Sequence, residues 1–190
     1  MYKKLLQWDK DVFVYLNSLG TDKYDNFWVT VTEINSWIPL FLLFLLLFVI
    51  KFPLKKAFFQ VALVSLLAWF ITFLTHTVKI WVERPRPCND ETINSFIRIL
   101  KTPVDFSFFS GHASSSFAIT LLVYLLLREK ARWTWIFFVW PLLFSYSRIY
   151  VGVHFPLDIL TGAIIGTLSA FLFYAIYMKF NAPDSRSNHP

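Results

Sequence analysis

The sequence predicts an all-α integral membrane protein: a bundle of five spans, preceded by an interfacial helix and interrupted by an amphipathic helix in a long loop. Three observations predict it. Apolar residues make up 56% and aromatic residues 20% of the 190, too many for a soluble domain of this length. The apolar residues collect into nearly uncharged runs of membrane-relevant length. The net charge of +6 resides entirely in two short loops and the tail, as expected where Lys and Arg mark the cytoplasmic side.

Residues 1–20 contain no uninterrupted apolar core of signal-peptide type, so no cleavage is expected. Leu5, Asp9, Val12, Phe13 and Leu16 instead fall at helical spacing, with Lys3, Lys4, Gln7 and Asp11 opposite and Gly20 as a stop. This pattern predicts a helix lying in the membrane interface. The first span, 27–50, has a dense apolar half from residue 37 onward and reaches membrane length only by including Glu33 and Asn35. An acidic side chain near a helix end can extend to the interface. Spans two to five follow at 57–82, 112–127, 133–147 and 157–178. In the fifth, Gly162 and Gly166 form a small-xxx-small pair suited to tight packing inside the bundle.

The positive segments are 51–56, 128–132 and the tail from Lys179, which places the carboxyl terminus in the cytoplasm. The amino terminus and the loops around 83–111 and 148–156 then lie outside. Within the first of these loops, Ile93, Phe96, Ile97 and Leu100 share one helical face flanked by Arg98 and Lys101. That amphipathic stretch reads either as a plain surface helix or as a lipid-facing lid. Cys88 has no partner for a disulfide or metal site and reads as structural. One domain spans 1–180, and 181–190 is expected to be a disordered tail.

Polar residues that the loops do not explain collect at the outer ends of the spans, in three clusters. Lys79 lies just below the end of the second span, ahead of Arg84-Pro85-Arg86-Pro87, whose prolines end the helix and extend the chain. Ser110-Gly111-His112 opens the third span. There Ser110 can cap the helix, Gly111 lets a ligand approach the backbone, and first-turn N–H groups make an anion site. Ser147-Arg148 and His154 through Asp158 join the last two spans. With Asp158 four residues after His154, its carboxylate can reach the imidazole Nδ1 and leave Nε2 available as a nucleophile. His76 shares roughly the face of Lys79 and reads as either a buried structural histidine or a pocket residue.

Together the clusters supply three cations, helix-start donors and two histidines on one membrane face, as phosphoryl transfer requires. No carboxylates cluster with metal-ligand spacing, so neither metal nor other cofactor is expected.

The clusters resemble the type 2 phosphatidic acid phosphatase superfamily, which shares its active-site helices with vanadium haloperoxidases and bacterial acid phosphatases. The first motif is matched by Lys79, Arg86 and Pro87, leaving Arg84 as a neighbour of open role. The second is matched by Ser110, Gly111 and His112, but Phe109 replaces the family's proline, which stiffens the loop; an aromatic there could touch lipid. The third is met by Ser147, Arg148, His154 and Asp158, with Gly152 as the family commonly has it.

The resemblance implies that His154 attacks phosphorus, Asp158 orients it, and His112 protonates the leaving oxygen and then activates water. Lys79, Arg86, Ser110, Gly111 and Arg148 would hold the phosphate. The expected activity is a metal-independent lipid phosphate or diphosphate phosphatase at the outer face of a bacterial inner membrane. Phosphatidic acid, phosphatidylglycerol phosphate, undecaprenyl diphosphate and lipid A phosphates are candidate substrates. A lipid phosphotransferase and a non-enzymatic anionic-lipid binder or transporter are the alternatives. The expected partners are the lipid substrate and the bilayer, with neither nucleic acid nor an obligate protein partner.

Overall fold

A computed structural model describes residues 2–181; the expected tail lies outside these residues, apart from Asn181. Among the described residues seven α-helices form in order: α1 Tyr2–Ser18, α2 Asp25–Val31, α3 Ile38–Lys51, α4 Leu54–Val82, α5 Gly111–Leu127, α6 Val139–Tyr150 and α7 Pro156–Asn181. Short 3-10 turns lead into α3 and α6. Three helical stretches, Ile34–Lys51, Leu54–Asn89 and Pro156–Phe180, are long and apolar enough to cross a membrane, and Gly111–Leu127 is apolar but shorter. At 1.5 Å per residue, α4 runs about 43 Å, more than the hydrocarbon thickness of a bilayer.

α5 is the hub. It packs against α3, α4, α6 and α7, and Ala118, Leu122, Val123 and Leu127 are fully buried within it. A helix apolar on every face belongs inside a bundle. Its closest approach is to α7: a Cβ on Gly162 would lie 2.6 Å from the Ser110 carbonyl oxygen, and one on Gly166 2.2 Å from that of Ser114. The small-residue pair therefore serves packing within the bundle, as read. Outward-facing apolar side chains cover the long helices, including Phe58, Leu66, Trp69 and Phe73 on α4 and Leu168 and Phe171 on α7. A continuous apolar exterior of this kind matches lipid as the solvent.

Three expectations are corrected. The continuous first span at 27–50 is broken: α2 ends at Val31, Glu33 adopts an extended conformation, and a 3-10 turn precedes α3. Glu33 pairs with Lys101, so its charge is met by a loop rather than carried within a helix. The fourth span begins as a 3-10 helix, Arg132–Phe138, and continues as α6 past residue 147.

The apolar stripe of α1 docks on the protein. Asp9 and Phe13 are fully buried, and Phe13 meets Phe155 edge-on at 5.4 Å. Asn17 donates to the carbonyls of Ile149, Tyr150 and Arg98. Last, residues 91–96 form turns rather than the expected amphipathic loop helix. The Asp90 carboxylate accepts from the Thr92 N–H and hydroxyl. The Arg98 N–H goes to Asn17, and the Leu100 N–H to the Val151 carbonyl. With those donors given to other elements, no i→i−4 ladder forms through 98–100.

Candidate active site

Where α4, α5, α6 and the 151–155 turn meet, a cavity of about 360 Å³ is lined by Thr75, His76, Lys79, Arg86, Pro103, Asp105, Gly111, His112, Arg148 and His154. Each wall has a local cause. α4 ends at Glu83 in a left-handed conformation, and Arg84-Pro85-Arg86-Pro87 then runs extended. Strict extended alternation would put Arg84 and Arg86, two residues apart, on one side; their partners instead draw the two side chains apart.

Arg86 faces the cavity. Its Nη2 donates to Asp105 Oδ1 at 2.7 Å, its Nε to the Asp105 carbonyl at 2.9 Å and its Nη1 to the Val153 carbonyl at 2.9 Å, with Nη1 also 3.0 Å from His154 Nε2. Arg84 faces away, bonding Asp9 at 2.6 Å and Asp158 at 2.7 Å and lying 4.1 Å over the Phe155 ring.

His154 sits in the turn between α6 and α7, which Gly152 makes possible. Gly152 has φ +84°, and a Cβ there would lie 2.4 Å from the Arg98 carbonyl oxygen. Only glycine tolerates both conditions cheaply. His154 Nδ1 lies 3.4 Å from Asp158 Oδ2 and 3.3 Å from the Ser107 hydroxyl. Asp158 Oδ2 also accepts from the Ser107 hydroxyl and from the Phe155 N–H. With Nδ1 facing a carboxylate, the favoured tautomer carries its proton there and leaves the Nε2 lone pair on the cavity side. Burial first, then the positive charges of Arg86, Arg148 and Lys79, hold the His154 pKa well below the usual imidazole value. Both effects favour the uncharged ring, in which the Nε2 lone pair is free.

Arg148 donates to the Thr32 hydroxyl at 2.5 Å, and its Nε is buried without a hydrogen-bond partner. His112 packs its ring 4.5 Å from that of Phe144. Gly111 and His112 line the cavity at the first turn of α5, where backbone N–H groups have no intrahelical acceptor.

The structure therefore brings Lys79, Arg86, Gly111, His112, Arg148 and His154 to one cavity. Asp158 stands behind His154, outside the lining. Ser110 is fully buried, caps α5 by accepting from the Ala113 N–H at 3.3 Å, and is also outside the lining. His76 is exposed and lines the cavity, so it is not the buried histidine of one reading. Phe109 is fully buried, so it does not touch lipid. Among the described residues, no three His, Cys, Asp or Glu side chains are grouped to hold a metal.

Sequence reasoning missed Asp105, Thr32 and Ser107, which sit in loops or helix ends whose spacing carries no signal. It also left Asp9 unexplained, although an acid within an apolar helical stripe was a signal that something buried would meet it.

Residues 57–182 match the PAP2 superfamily. A lipid A 4′-phosphatase of Bacteroides thetaiotaomicron is 31% identical over 179 residues, covering 92% of this chain and 79% of that protein. The crystal structure of Aquifex aeolicus LpxE superposes with a TM-score of 0.69 at 30% identity, covering 87% of this chain and 93% of that one. A transmembrane PAP2 type phosphatidylglycerolphosphate phosphatase from Bacillus subtilis superposes with a TM-score of 0.75 at 20% identity, covering 94% and 89%, and speaks for the fold. The motif spacing, the shared cavity and these likenesses meet in one conclusion: the chain is an integral membrane protein of the PAP2 superfamily, phosphatases acting on lipid phosphate and diphosphate groups.

Proposed function

We propose that the protein hydrolyses a lipid phosphate without a metal, through a phosphohistidine at His154. The observation that carries this is the placement of two histidines in one cationic cavity, with a carboxylate behind one of them. His154 Nε2 attacks phosphorus while the bond to the lipid oxygen breaks, and His112 gives that oxygen a proton. His112 next takes a proton from water. The resulting oxygen nucleophile attacks phosphorus, the P–N bond breaks, and inorganic phosphate and free His154 result. Lys79, Arg86, Arg148 and the Gly111 N–H stabilise charge on the equatorial oxygens. Ser110 supports them from behind by fixing the start of α5. The similarity to a lipid A 4′-phosphatase favours a phosphate on a lipid A-type saccharide over the other lipid phosphates.

The same reading sets the topology. α3 with its leading 3-10 turn is about 29 Å long, and α6 with its own is about 32 Å, so each pair matches the hydrocarbon thickness. α5, at about 25 Å, lies inside the bundle. Five crossings follow, with one domain over 1–180 and the cavity at the extracytoplasmic face of a bacterial inner membrane, about 36 Å along α4 from Lys55. α1 lies at that face, offering exposed Leu5, Trp8 and Tyr15 to the interface.

The test is phosphate release from purified lipid phosphates in detergent with a chelator present. Wild type should turn over at least one lipid A-type or phospholipid phosphate. His154→Ala should lose between about 10⁴- and 10⁶-fold in kcat, and His112→Ala about 10²- to 10⁴-fold. Chelator-sensitive activity, or turnover retained in His154→Ala, would overturn the mechanism.

A further inference from the structure

The two cations that the first motif contributes are already paired inside the cavity. Lys79 bonds Asp105 Oδ2, and Arg86 bonds Asp105 Oδ1. The Asp105 carboxylate thus presents two anionic oxygens to the same donors that a phosphate would need. Four of the five N–H donors of Arg86 are engaged, two of them by Asp105. Arg148, by contrast, keeps a buried Nε with no partner. The Asp105 side chain is 55% exposed, so it can leave into solvent without breaking the core. The buried Asp158 cannot.

We propose that Asp105 is an internal competitor for phosphate, holding Lys79 and Arg86 until an incoming anion exchanges with its carboxylate. The inference rests on the phosphatase reading and names what regulates access to that site. An anion first meets Arg148 and the start of α5, then takes Lys79 and Arg86 as Asp105 swings out. Every anion faces the same cost of displacement. A lipid phosphate offsets it with the binding energy of its apolar tail, far from phosphorus. Free orthophosphate has no such source, so both ambient phosphate and the released product are kept from occupying the cup.

Removing the charge should therefore tighten phosphate binding. In the full-length protein in detergent, Asp105→Asn and Asp105→Ser should each lower the inhibition constant of orthophosphate about tenfold, the scale of one lost charge-assisted pair. KM for a lipid phosphate should fall by a similar factor, and Asp105→Glu should keep the wild-type constant. Were Asp105 merely holding Lys79 and Arg86 in place, its loss would weaken phosphate binding. An unchanged or raised constant in the charge-removing variants thus overturns the proposal. Orthophosphate affinity measured directly by calorimetry keeps this test independent of turnover: absence of hydrolysis in wild type would fail the phosphatase reading, whereas the sign of the Asp105→Asn affinity change decides the competitor.

Discussion

Arg84 and Arg86 are separated by one proline and each pairs with aspartate, yet the two arrangements differ in kind. Arg84 is held between Asp9 and Asp158, both with fully buried side chains. It ties the amino-terminal helix, the end of α4 and the start of α7 into one block, since Asp9 also accepts from the Leu157 N–H at 2.8 Å. Arg86 pairs instead with Asp105, whose side chain is half in solvent. Two carboxylates without access to water make a fixed strut, whereas one with an exit makes an exchangeable contact. The accessibility of the acid, more than the arginine, distinguishes scaffold from site.

The contrast breaks first at Arg84. Arg84→Met leaves two buried carboxylates without their cation, and should cost about 3–5 kcal/mol of stability, read as a lowered denaturation midpoint in detergent. Arg86→Met should destabilise less, by about 1–3 kcal/mol for its orphaned carbonyls, while kcat/KM falls about 10²- to 10³-fold through a lost transition-state donor. If Arg86→Met proved the more unstable of the two, the assignment of strut and site would be reversed.

A smaller effect belongs to Ser107, whose hydroxyl bridges Asp158 and the His154 ring. Ser107→Ala should lower kcat about tenfold, equivalent to one hydrogen bond to a charged group, with little change in KM. A change confined to KM would place Ser107 in substrate binding instead.

The smallest effect concerns pH. Burial pushes the Asp105 carboxyl up, but the hydrogen bond from Lys79 and the charges of Arg86 and Lys79 outweigh it and lower the pKa to about 2. A depressed carboxylate contributes its full effect above its ordinary value near 4 and loses it as pH falls through its folded value. The Asp105 pairs should thus persist unchanged from pH 5 to 8, and the Asp105→Asn effect on the affinity of sulfate, a tetrahedral anion of fixed charge over that range, should be constant. A pH-dependent difference between wild type and Asp105→Asn there would show that the Lys79–Asp105–Arg86 cluster titrates in the working range.

Much of this was legible in the sequence because covalent spacing fixes it. Asp158 sits four residues from His154, and one helical turn brings such a pair together. Spacing alone does not separate Arg86 from Arg84; the resemblance to the family's first motif singled out Arg86, and Arg86 is the one that lines the cavity. The apolar runs needed only lipid or a neighbouring helix to bury against, so α4 and α7 formed as read. The break at Glu33 was harder, because a charge inside an apolar run is compatible with either a tilted helix or a broken one, and Lys101 settled it from 68 residues away.

By itself, the sequence determined the apolar helices, the class of chemistry and the residues that one helical turn can place. These depend on local periodicity and on side chains acting over a few residues. Tertiary structure alone decided that the amphipathic loop stays unwound, because Asn17 and Val151 take its backbone hydrogen bonds. It also decided that Asp9 locks Arg84 and that Asp105 pairs with Lys79 and Arg86. Each is a pairing of charges or donors whose partners lie far apart in the chain, and no local pattern can specify which partner will arrive.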